Sequence, residues 1–185
     1  MPLMVLNAFG AVVSGLWLAL LGVWWQIGYG VAALFLTFLL GIIMMPGLIF
    51  ALPAAHLFEK GRTFLAFPFV LLSELYTYGV ITAWCILVFY IFMSRANRET
   101  FWPLLIWSYG VALGPWAYMA EQEEQGGLEA ATMTTFFAEI AYVIMAVVLI
   151  FGDVTLVELG IVFVSVMIVG MLIQMRIAFA SLAAV

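Results

Sequence analysis

Polar residues fall in short groups along this chain, and the runs between them are almost wholly apolar for about twenty to thirty residues at a time, the length a helix needs to cross a bilayer. The groups are WWQIGYG, HLFEKGR, SRANRE, EQEEQGGLE and GDVTLVE. Each combines charge, glycine or interfacial tryptophan, features that end a membrane span. The pattern predicts an all-α fold, a bundle of six transmembrane helices over residues 3–25, 28–54, 64–94, 101–119, 131–151 and 155–178. The fifth break rests on Asp153 and Glu158 alone, so five spans with one long final helix is the competing arrangement. No ten-residue segments of alternating polarity occur, which excludes a β-barrel and an outer-membrane location.

Composition agrees with the pattern. Hydrophobic residues make up 68% and charged residues 8% of the 185, and the mean hydropathy is +1.28, outside the range of soluble domains. The expectation is a single multi-pass domain over 1–185, with the lipid bilayer of a bacterial inner membrane as its surroundings. MPLMVLNAFG lacks a basic n-region and leads into a long apolar run, so it reads as a retained first helix. Lys60, Arg62 and Arg176 fall on one side with both termini, and Arg95 and Arg98 on the other, which leans towards cytoplasmic termini. The net charge of −5 comes mostly from 121–129, and so few basic residues leave nothing to hold nucleic acid.

Chemistry is sparse. Cys85, the one cysteine, lies in an apolar run and reads as a small buried hydrophobe. The single histidine cannot supply paired haem ligands, no lysine lies within a span for a retinal Schiff base, and phosphate-loop, zinc-protease and nucleophile-elbow motifs are missing. No cofactor is implied. His56 and Glu59, one helical turn apart, form a two-ligand candidate for Zn²⁺ or Mn²⁺. Pro46, Pro53 and Pro68 free backbone carbonyls that need other partners. Gly10-x-x-x-Ser14 and Gly110-x-x-x-Gly114 permit close helix packing. Asn7 with Trp17, matched by Glu74 with Trp84, hints at repeated helical hairpins.

Two acids stand out because a carboxylate inside a bilayer is expensive and faces protein or water. At 100° per residue Glu74, Thr77, Tyr78, Thr82 and Cys85 share one face of the third helix. Thr132, Thr135, Glu139 and Tyr142 share one face of the fifth, and Asn7 and Ser14 lie on one side of the first. Counted from the surface at which these three helices begin, Glu74 and Glu139 lie about 12–15 Å deep. The leading expectation is a polar pathway between the first, third and fifth helices for a cation, proton or small solute. There Glu74 and Glu139 bind the ion, Thr77, Thr82, Thr132 and Thr135 supply oxygen ligands, and Tyr78 and Tyr142 orient the acids. The alternatives are an accessory or assembly subunit of a larger membrane complex, and a lipid or isoprenoid enzyme with a buried Glu as general acid; the partners in view are the lipid bilayer and either a second copy in a homo-oligomer or a membrane-complex partner.

Overall fold

A computed structural model gives the backbone of residues 2–126 and 130–183 and the side chains of 8–37, 39, 40, 42–114 and 133–177. Six helices account for it: α1 (Pro2–Leu20), α2 (Trp25–Glu59), α3 (Thr63–Met93), α4 (Phe101–Gly126), α5 (Ala130–Phe151) and α6 (Leu156–Ala183). There is no strand among the described residues. Four stretches are long and apolar enough to cross a membrane: Trp25–Glu59, Thr63–Met93, Met133–Phe151 and Leu156–Ile177. The apolar parts described in the other two helices are shorter, Ala8–Leu20 and Phe101–Gly114.

Helix ends have local causes. α1 and α2 each stop at a glycine in the left-handed region, Gly22 (φ +77) and Gly61 (φ +67). In both cases the next amide reaches back to a carbonyl five residues earlier, Val23 to Leu18 at 2.9 Å and Arg62 to Leu57 at 2.9 Å. That is the glycine-dependent C-terminal motif. Before α4, Asn97 Oδ1 accepts the Glu99 and Thr100 amides at 3.1 and 2.9 Å. The doubtful fifth break is a real one. Thr155 caps α6 by accepting the Glu158 amide at 3.3 Å, while Glu158 accepts the Thr155 amide at 2.7 Å, a reciprocal capping box that fixes a helix start.

Three helices outrun their expected spans, α6 by five residues from 178 to Ala183. α4 continues seven residues past 119, because Ala-Glu-Gln-Glu-Glu ends an apolar run but favours helix. α2 continues five past 54 through Ala-His-Leu-Phe-Glu, with Pro46 and Pro53 both inside it.

The helices form two rows of three, α1–α4–α5 and α2–α3–α6, with α3 and α4 central. α1 packs on α4, α2 on α3, and α5 on both α4 and α6, while α6 also meets α3. Small residues set these neighbours. The indole of Trp107 on α4 wedges between α1 and α2, where a Cβ at Gly15 would lie 2.8 Å from the ring and one at Gly30 2.5 Å. A Cβ at Gly170 on α6 would lie 2.3 Å from Phe137 Cγ on α5. Near the middle of the bundle Tyr142 meets Phe89, Tyr109 and Phe163 edge-on, with ring centroids 5.9, 5.4 and 5.9 Å away. This geometry is favourable for aromatic pairs and leaves the centre solidly filled. At the end where α2 starts, Arg95 lies over the Trp25 and Tyr29 rings at 5.1 and 4.8 Å.

Candidate functional site

Polar side chains from three helices converge near the end of the bundle where α3 and α5 begin. Tyr78 of α3 donates its hydroxyl to Gln174 Oε1 of α6, and Gln174 Nε2 donates to Glu74 Oε1 at 3.3 Å. From α5, the buried Thr134 lies beside Tyr78. One turn of α3 separates Glu74 from Tyr78, so both address the same neighbour. Tyr78, Thr134 and Gln174 are buried, whereas Glu74 is half-buried at the rim. Gln174 engages only one carboxyl oxygen, and among the described residues no lysine or arginine pairs with Glu74.

Register fixes the level of this network. Nineteen residues separate Glu74 from Met93, eighteen separate Leu156 from Gln174, and seventeen separate Thr134 from Phe151, or about 28, 27 and 26 Å at 1.5 Å per residue. All three helices thus bring their polar group to one plane. That plane lies about one hydrocarbon thickness from the opposite helix ends.

The expected polar faces are redistributed. α1 makes no contact with α3 or α5 among the described residues, because α4 stands between them. A polar interior shared by the first, third and fifth helices is therefore replaced by one between α3, α5 and α6. Ser14 is buried towards α4 and donates to Gly10 and Ala11 carbonyls of its own helix at 2.7 and 3.1 Å. The side chains of Asn7 and Thr132, and the acidic stretch 121–129, lie outside the described residues. Thr77 faces α2, 3.7 Å from where a Gly47 Cβ would be. Thr82 is half-buried in a groove of about 330 Å³ between α3 and α6. Thr135 is buried, and Glu139 is half-buried and engaged with a neighbouring group. Tyr142 is buried among Ser108, Cys85 and Tyr109, with its hydroxyl reaching no partner at hydrogen-bond geometry.

The suggested hairpin repeat does not carry into packing, since Trp17 is exposed and Trp84 buried. His56 Nδ1 and Glu59 Oε2 stand 3.9 Å apart, both exposed. No third His, Cys, Asp or Glu joins them among the described residues, and a pair alone falls short of a structural metal site.

Sequence reasoning missed Gln174 and Thr134. Gln174 is the one amide in the last apolar run, a signal passed over in favour of acids. It also missed the partners of the proline-bearing helix. Tyr76 donates to the Ile43 carbonyl, and Ser73 to the Gly47 carbonyl at 3.3 Å. Both acceptors flank Pro46, but the carbonyl that this proline deprives of its helical donor is that of Ile42, so the two hydroxyls tie α3 to α2 rather than replace the lost bond. Comparison with family models finds no match, and comparisons with curated proteins and with solved structures find no significant similarity.

Proposed function

We propose that this chain is a six-helix integral protein of the bacterial inner membrane that admits a proton or small cation between α3, α5 and α6, with Glu74 as the group that receives it. The observation that carries this reading is the Glu74–Gln174–Tyr78 network. It holds one carboxyl oxygen in place across two helices, supplies no neutralising cation, and leaves Glu74 half-exposed at the rim. With the opposite helix ends at one interface, the network lies within a few ångströms of the other, about 30 Å away, where water reaches a carboxylate at modest cost. From there Thr134, Thr135 and Glu139 carry polar groups inward along α5 towards Tyr142 and Ser108. The rings of Phe89, Tyr109 and Phe163 then close the route, so the arrangement corresponds to a gate that is shut.

The test is flux in sealed vesicles under a pH or cation gradient. Glu74→Gln and Glu139→Gln are expected to reduce flux sharply while elution on sizing stays that of the parent; undiminished flux in both sinks the reading. Infrared difference spectra of the carboxylic C=O band give a second, independent measure. Rapid deuterium exchange at Glu74 is expected, and an exchange-resistant band excludes water from it.

A second reading, an accessory subunit of a membrane complex, draws on the same network, because hydrogen bonds between α3 and α6 also serve as a seam that fixes helix register. Gentle solubilisation followed by sizing separates the two. A stable partner protein that co-elutes favours the subunit, and a lone monomer or homo-oligomer favours the pathway.

A further inference from the structure

Between Pro46 and Ser73 the second half of α2 and the first part of α3 form a hairpin that continues past the Glu74 plane. Thirteen residues lead from Pro46 to Glu59 and eleven from Glu74 back to Thr63, so it overshoots that plane by about 16–20 Å. Within it only Gly47, Ala54 and Ala66 are buried, small residues that let its two helices touch. Leu48, Ile49 and Leu52 on one helix and Phe64, Leu65 and Phe67 on the other are exposed, Phe64 at 89%. On each helix these positions lie opposite the small buried residues, so the exposed faces of α2 and α3 are the two outer faces of the hairpin and point away from each other. Two apolar faces turned in opposite directions need an apolar medium on both sides, whereas a protein partner covers one. Its tip carries Lys60 and Arg62, both exposed, while the neighbouring Glu59 lies beside His56.

We propose that this hairpin is a lipid-docking arm. Because it runs past the Glu74 plane near the interface, its distal half folds down at the proline positions onto the leaflet on that side, where Lys60 and Arg62 bind anionic phospholipid headgroups. The inference rests on the membrane reading given above. An apolar segment with basic residues at its polar end is the chemistry that recognises an anionic leaflet. A stretch longer than the hydrocarbon is accommodated by tilting or kinking. Pro46, Pro53 and Pro68 all fall in or beside this segment and give it bending points.

The experiment uses the full chain in phosphatidylglycerol/phosphatidylcholine vesicles, with a polarity-sensitive probe on Phe64→Cys, on Leu52→Cys and, as control, on Ile168→Cys of α6. Cys85 is fully buried and stays unlabelled. Nitroxide-bearing lipids are expected to quench all three probes. Native mass spectrometry is expected to show phosphatidylglycerol retained over phosphatidylcholine, a preference lost in Lys60→Gln/Arg62→Gln. If the control is quenched but the hairpin probes are instead quenched by aqueous iodide, the arm stands in water and the proposal fails. It fails equally if they are quenched only by a spin-labelled second copy, or if the double variant keeps its lipid preference. If even the Ile168 probe escapes lipid quenching, the membrane reading itself has failed.

Discussion

Gly170→Ala tests the geometry on which the α3–α5–α6 network depends. The added methyl would meet Phe137 Cγ at 2.3 Å, Cδ2 at 2.6 Å and Cβ at 2.8 Å. Two of those atoms lie at the root of the side chain, so rotation of the ring cannot clear them. Ordinary carbon contact begins near 3.5 Å, so α5 and α6 would have to part by about 1 Å. Gln174 is one turn further along α6 on the same side, and its bond to Glu74 is already 3.3 Å long, near the limit for a hydrogen bond. The same displacement would break it. Overpacking costs about 1–3 kcal/mol and an interhelical hydrogen bond in a membrane protein about 0.6 kcal/mol, so the expected loss is about 2–4 kcal/mol. The assay is reversible unfolding in mixed micelles, run as a cycle with Phe137→Ala. Truncating Phe137 removes two of the three clashing atoms, so the double variant should be more stable than the sum of the singles by about 1–3 kcal/mol. A Gly170→Ala protein within about 0.3 kcal/mol of the parent, or strict additivity in the cycle, would refute the close α5–α6 approach.

Tyr76→Phe removes the α3 hydroxyl from the Ile43 carbonyl, and should cost about 0.6–1.7 kcal/mol in the same unfolding assay; a neutral effect would mean that this bond does not hold α2 to α3. Thr155→Ala removes the cap of α6, for an expected loss of about 0.5–2 kcal/mol. Hydrogen exchange is expected to quicken at the amides of 156–159, and unchanged protection there would show that the capping box does not hold this helix start.

The existence of the six helices was legible because each break has its own chemistry, and the weakest one, at Asp153 and Glu158, turned on Thr155 and Glu158 forming a cap. Boundaries were less legible where helix-favouring residues outlast the apolar run, as at Glu121–Gln125. Neighbour relations were not legible at all. A helical wheel says which residues share a face but not which helix that face meets, so Thr77 and Tyr78 were grouped although one turns to α2 and the other to α6. The fit of Trp107 between Gly15 and Gly30 decides where α1 goes, yet it joins two consecutive helices to a third that lies far along the chain. Glu74 and Tyr78 were found from their oddity in an apolar run. Their amide partner was not, because an uncharged glutamine near a helix end carries little signal in isolation.

The packing of α1 on α4 has a consequence for how the protein is made. α1 and α2 are adjacent in sequence but touch only sparingly, and the main seat of α1 is on α4. Trp107 emerges eighty-seven residues after Leu20, which at about 5–20 residues per second is a wait of roughly 4–17 s. During that interval the Gly15 face of the first helix stays unfilled. The growing chain must hold it nearby without its lasting neighbour, and the hairpin of α2 and α3 is complete before α1 is seated.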